Sequence, residues 1–197
     1  MVNNITVIIR TIGRPTLIHA INSVRSQFQN VIVVADAVDL DLESLPKDVT
    51  YLKTGQKFDK YGSAAINMGA YATTTEYFCL LDDDDEFAEG AAEFMQQRIL
   101  QDPDAGIWIP GLRYNDGNTV CMNPVAFIQV GTVAVPTYKT ALLFEYPFSA
   151  ATARIENPHW IDYEHIKNLS NFGVRVNWYQ KDIYLVRPKS PGYYGSI

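Results

Sequence analysis

The sequence predicts an α/β fold: a mostly parallel central sheet with helices on both faces, followed by a smaller mixed or antiparallel part. Short β-branched runs alternate with segments of helical period over the first hundred residues, as βαβ units require. A hairpin signal, Asp116-Gly117, sits among short strands in the second half, where the alternation stops. With 197 residues, 47% of them hydrophobic, the chain can bury roughly 70% of its unfolded surface and needs no metal or disulfide for a core.

Ile5 to Ile9 reads as the first strand. Thr16 to Gln27 follows as a helix, with Leu17, Ile21, Val24 and Phe28 at helical spacing and Pro15-Thr16 suited to its start. Val31 to Ala35 is an apolar second strand ending at Asp36, and Val49 to Leu52 a weaker third. Ser63 to Ala72 is a small-residue helix suited to close packing on a flat surface. Tyr77 to Leu81 is a buried strand running straight into Asp82, Asp83, Asp84 and Asp85. Ala88 to Leu100 has Ala91, Phe94, Met95 and Ile99 on one helical face, and Pro103 closes the pattern. Residues 1–103 thus read as a nucleotide-binding half.

Residues 104–187 form a second half of the same domain. Ile107 to Ile109, Leu112 to Asn115, Val120 to Met122 and Phe127 to Val135 read as strands. Asn157-Pro158 can open a helix that continues through Asp162, Ile166 and Leu169 and stops at Gly173. Val174 to Trp178 and Ile183 to Val186 read as two closing strands. Pro188 to Ile197 is a Pro-, Gly-, Tyr- and Ser-rich tail.

Sixteen Lys plus Arg against 22 Asp plus Glu give a net charge of -6, no footprint for wrapping a nucleic acid. Cys79 and Cys121 stand apart without metal-ligand spacing, which suits a reducing compartment. No secretory leader or membrane span is evident, so the expected location is the cytoplasm, with peripheral membrane contact left open.

The feature that carries chemistry is the aspartate tract, because it stands where an apolar strand ends. Ligands of open α/β sheets bind outside the carboxyl ends of the strands. Two unit charges ~4 Å apart repel by about 4 kcal/mol at an effective dielectric near 20, so packed carboxylates favour a proton or a cation. Hard oxygen donors suit Mg²⁺ or Mn²⁺, whose shell substrate phosphates commonly complete. The alternative is a solvated acidic loop, and for the tract alone the two readings are about equal. Thr11, Arg14 and Asp36 shift the balance, since they fall at the same edge of the predicted sheet.

These residues resemble those of the GT-A-fold glycosyltransferases of family 2, whose core is a Rossmann-like sheet. Ile5 to Pro15 resembles the family's opening strand and T-x-x-R-P-like loop, and Val31 to Asp36 its second strand and nucleoside-contacting aspartate. Gly62-Ser-Ala-Ala-Ile-Asn67-Met-Gly69 resembles G-x-x-x-A-x-N-x-G, and Leu81-Asp82-Asp83-Asp84-Asp85 resembles L-D-x-D-D. Departures fall at Ala35-Asp36-Ala37-Val38, where many members carry a paired acidic motif followed by Gly and Ser, and at Ile66, where Arg often stands.

The resemblance implies a metal-dependent inverting transfer of a sugar from a nucleoside diphosphate, UDP foremost, to an acceptor hydroxyl. It implies that Thr11 and Asp36 contact base or ribose, that Asp82 lies near the ribose, and that Asp84 ligates Mn²⁺ or Mg²⁺. Arg14, Asn67 and Asp83 are placed with them at the donor site. Ile161-Asp162-Tyr163-Glu164 resembles the family's acidic-residue helix, with Asp162 as catalytic base and Glu164 as the second candidate; by position alone Asp162 would be a helix-start carboxylate favoured by the dipole. Trp160 is the expected acceptor-stacking residue, and His159 and His165 are not expected to ligate metal. A nucleotidyltransferase and a non-catalytic nucleotide- or carbohydrate-binding module are the competing readings.

Overall fold

A computed structural model describes residues 2–57, 62–120, 136–148 and 161–187, with side chains described from residue 4 and, in the last segment, from residue 165. The strands are β1 (Val2–Thr11), β2 (Phe28–Ala35), β3 (Thr50–Lys53), β4 (Tyr77–Asp82), β5 (Glu86–Phe87), β6 (Ile107–Tyr114), β7 (Thr119–Val120), β8 (Thr137–Lys139) and β9 (Val176–Val186). The helices are α1 (Leu17–Arg25), α2 (Ser63–Ala72), α3 (Ala91–Gln101), α4 (Ala141–Glu145) and α5 (Ile161–Asn171).

The nine strands of the described residues join one mixed sheet in the order β3-β2-β1-β4-β8-β6-β9-β5, with β7 paired to β6. The first four are mutually parallel. The crossovers from β1 to β2 and from β3 to β4 run in opposite directions, and because such connections are right-handed, α1 and α2 lie on opposite faces. The order therefore reverses between β1 and β4, the place where an α/β sheet opens a crevice at its carboxyl edge. In register, Thr11 lies beside Ala35, and Arg10 beside Asp82.

Strand β5 follows β4 by only three residues, yet pairs antiparallel with β9 at the far end of the order. The sheet accordingly curls, bringing the end of β9 back over the aspartate tract. Phe28, Phe87 and Tyr184 pack in the wall so formed, with ring centroids 5.9 Å (Phe28–Phe87) and 5.6 Å (Phe87–Tyr184) apart.

The small residues of α2 do what their sizes suggest. A Cβ on Gly69 would lie 2.5 Å from Ile8 Cγ2 and 3.1 Å from Val34 Cγ2, so only glycine lets the helix approach β1 and β2 this closely.

Several boundaries differ from expectation. Phe28 opens β2 instead of closing the first helix, where it is almost fully buried. Ile107 to Tyr114 is one strand, not two: Pro110 falls where the β6–β9 register shifts, an irregularity that tolerates a residue without a backbone N–H. Val176 to Val186 is likewise continuous, its exposed Gln180 and Lys181 lying in mid-strand. The short elements β5, β8 and α4 have no counterpart in the sequence reading. The hairpin is where Asp116-Gly117 places it, with Gly117 at φ 88° and β7 antiparallel to β6. Residues 121–135, including Cys121 and the strand expected over 127–135, lie outside the described residues, as do Asn157-Pro158 and the tail. Among the described residues, no helix is long and apolar enough to cross a membrane.

Helix α5 is tied to the sheet by aromatic contacts. Phe148 stacks on His165 with centroids 4.0 Å apart, and Tyr138 of β8 packs edge-on to Phe148 at 5.6 Å. Burial pushes the His165 imidazole down from 6.5 to about 4. The unfolded chain thus takes up a proton near pH 6.5 that the folded chain refuses until about 4. Stability from this group is complete above that window and falls as pH drops through it, by about 3 kcal/mol at its lower edge. Urea midpoints measured across this range are expected to fall more steeply for the native protein than for His165→Leu.

Candidate active site at the carboxyl edge

The aspartate tract is a β-turn: the Asp85 N–H donates to the Asp82 carbonyl at 3.1 Å. That geometry divides the four side chains. Oxygens of Asp82, Asp84 and Asp85 converge to within 4.8 Å of one another, whereas Asp83 turns to the loop between β1 and α1.

Asp83 is 1% exposed and fully engaged. It accepts from Thr11 Oγ1 at 2.6 Å, from the Ile12 N–H at 3.1 Å, and from Arg14. Thr11 also accepts the Gly13 N–H at 2.9 Å, and Gly13 turns the loop at φ 85°. Thr11, Arg14 and Asp83, all expected at the donor site, therefore lock one another and shape the loop between β1 and α1. Half-burial works against the Arg14 charge, but Asp83, with Asp84 and Asp82 behind it, more than compensates and raises its pKa.

The other three carboxylates differ in how firmly they are held. Asp82 accepts from Arg10 Nε at 2.5 Å, and Arg10 runs beneath the α2 start, 3.4 Å from where a Gly62 Cβ would be. Asp85 accepts from the Tyr184 hydroxyl at 2.7 Å and the Arg187 N–H at 2.8 Å. Burial, then the Asp82 charge, pushes Asp85 up to about 7. Asp84 is held more loosely, by Arg187 at 3.4 Å and Arg14 at 3.9 Å. Its pKa is raised as well, chiefly by burial, with Arg14 opposing. Raised carboxylates a few ångströms apart are what a cation or a proton relieves.

Asp36 lies on the neighbouring strand end. It is nearly buried, its N–H donates to the Thr11 carbonyl at 2.8 Å, and Thr54 Oγ1 approaches Oδ1 at 3.3 Å. Ala37 follows at φ 59°, and Arg187 has φ 46°. These are the two non-glycine residues with positive φ among the described residues, and both border the carboxyl edge, where such strain is commonly kept for function. Asn67 is turned elsewhere: its amide pairs with the Phe148 backbone. Asp162 and Glu164 lie in the first turn of α5, and Trp160 is outside the described residues.

The matching family has the description Glycosyl transferase family 2, and the match runs over residues 6–150. The chain belongs to glycosyl transferase family 2. Its fold is the GT-A arrangement, shared with S. aureus TarS 1-349 at a TM-score of 0.69 and 14% identity over 93% of this chain and 60% of that one. The same protein in complex with UDP-GlcNAc aligns at a TM-score of 0.66 and 15% identity, over 96% and 60% of the two chains. In complex with UDP it aligns at 0.69 and 16%, over 92% and 60%. The family 2 chain described here thus spans about 60% of the length of these structures. A search of the curated proteins finds no match.

Within this family 2 fold, sequence reasoning missed Arg10, Tyr184 and Arg187 and ranked Asp85 behind Asp84 within the cation-seating tract. The one available signal was Tyr184: a tyrosine inside an apolar strand needs a hydroxyl partner. The Tyr184 hydroxyl both accepts the Asp82 N–H at 3.3 Å and donates to Asp85, so it ties the two ends of the turn. Tyr184→Phe leaves Asp85 short of a buried donor and is expected to cost about 1–3 kcal/mol. Urea unfolding against the native chain measures it.

Proposed function

We propose that the chain is a metal-dependent inverting glycosyltransferase that moves a sugar from a nucleoside diphosphate, UDP foremost, to an acceptor hydroxyl. The observation that carries this reading is the convergence of Asp82, Asp84 and Asp85 within 4.8 Å at the switch point of a family 2 sheet. The donor set fits a hard divalent cation: three carboxylates, two with raised pKa, and no soft ligand among them. Asp84 is the foremost ligand because its ion pairs are the longest and most easily exchanged, with Asp82 and Asp85 beside it. When bound, Mn²⁺ or Mg²⁺ supplies electrostatic stabilisation to the departing diphosphate.

The remaining roles fall to the chain's own groups. Asp36, next to Thr11 at the β2 end, is assigned to the nucleoside. Thr11 and Asp83 hold the loop that flanks it, and Arg14 brings positive charge to the same side for the phosphates. Asp162 is assigned as base. Its carboxylate takes the acceptor hydroxyl proton as the oxygen bonds to the anomeric carbon; the bond from that carbon to the diphosphate oxygen breaks, and its electron pair leaves with the diphosphate. Attack opposite the leaving group inverts the anomeric centre in one step.

That UDP-GlcNAc and UDP are held by a protein of like fold supports starting the donor search with UDP-sugars. The test is UDP release from a panel of UDP-sugars with saccharide acceptors and Mn²⁺. Acceptor-dependent release that chelation abolishes is expected. Tight nucleotide binding with no release would favour a non-catalytic binding module instead.

A further inference from the structure

Asn67 belongs to the segment expected to meet the donor, yet its amide is committed to another part of the chain. Nδ2 donates to the Phe148 carbonyl at 2.7 Å, and the Phe148 N–H donates to Oδ1 at 3.0 Å, so both ends of the amide pair with one residue 81 positions away. Phe148 is 3% exposed and lays its ring on His165 at 4.0 Å, with an interplanar angle of 28°. His165 is on α5, three residues after Asp162 in the same helix. Ile166 and Leu169 of the same helix are buried in the core. At its other end, α2 starts against Arg10, the partner of Asp82. One helix therefore lies against Arg10 at its start and pairs with the Phe148 backbone from its middle.

We propose that Asn67 is a positioning residue for the base-bearing helix: it clamps the Phe148 backbone so that the Phe148 ring seats His165 and, through it, α5. This rests on Asp162 being the base, and it gives Asn67 a role other than donor contact. A bidentate amide clamp suits the task, because its separate donor and acceptor atoms fix position and direction of the Phe148 backbone together, and Ala can make neither bond.

The experiment measures three quantities in Asn67→Ala: UDP affinity with Mn²⁺ by calorimetry, the His165 imidazole pKa by NMR, and kcat for transfer. UDP affinity is expected to hold. The imidazole pKa is expected to rise from about 4 toward 6.5 as the ring loses its cover. With the base displaced, kcat is expected to fall on the order of 10²-fold. Phe148→Leu keeps the clamp, removes the ring, and is expected to reproduce the last two changes, which also covers the case in which Asn67→Ala fails to fold. Weakened UDP binding with an unmoved His165 would overturn the proposal, as would normal kcat and His165 titration in Phe148→Leu. The base assignment fails separately: wild-type turnover in Asp162→Asn removes it, while a moved His165 in both variants still establishes the coupling.

Discussion

Asp84→Ala is expected to lower sugar transfer by about three orders of magnitude and leave the fold intact. The size follows from the proposed role: a bound divalent cation would supply several kcal/mol of charge stabilisation to the leaving diphosphate, and each 1.36 kcal/mol is about tenfold in rate. The intact fold follows from the geometry. Among the described residues Asp84 is held by ion pairs at 3.4 and 3.9 Å, and burial beside Asp82 and Asp83 already works against its charge. Removing it relieves repulsion, so the thermal midpoint should hold or rise. Asp83→Ala is the informative contrast. It strips the partner of Thr11, the Ile12 N–H and Arg14 at a site 1% exposed, and is expected to cost about 2 kcal/mol or more in stability. Rates with Mn²⁺ and a UDP-sugar, set beside melting curves for both variants, separate a ligand from a loop anchor although they are neighbours in sequence.

Asp162→Asn is the second large effect. General-base assistance is worth roughly 10²–10⁴-fold, and an amide of equal size cannot take the acceptor proton. The expected pattern is a fall of that size in kcat, with UDP affinity unchanged because the donor edge is built from other elements. Glu164→Gln, two residues on in the same helix, is expected to stay near the native rate. A fall in Glu164→Gln with Asp162→Asn active would move the base to the second carboxylate.

The parts of the fold that were legible are those whose sequence signal is local. The apolar runs of β1, β2 and β4 and the small-residue pattern of α2 need no partner to be recognised, and their carboxyl ends placed Thr11, Asp36 and the tract on one edge. The parts that were not legible depend on partners far away. Glu86–Phe87 and Thr137–Lys139 are too short for any periodicity, and exist as strands because β9 and β4 are there to pair with them. Pro110-Gly111 reads as a break, and only the neighbouring strand shows it to be a bulge. Four consecutive aspartates look equivalent on paper. A β-turn makes them unequal, sending Asp83 inward to Thr11 and the rest together, and that division is a property of backbone dihedrals. Tyr184 and Arg187 lie about a hundred residues from the carboxylates they hold, with 102 positions between Arg187 and Asp85.

The central claim is that Asp82, Asp84 and Asp85 hold a divalent cation against the donor's diphosphate. Electron–nuclear double resonance on Mn²⁺ added to the protein with UDP tests it directly, since phosphorus coupling appears only when phosphate oxygens bind the ion. The expected result is one Mn²⁺ per chain with strong phosphorus coupling, lost in Asp84→Ala. Equal Mn²⁺ binding by the native and Asp84→Ala proteins, or a bound ion without phosphorus coupling in the presence of UDP, would contradict it.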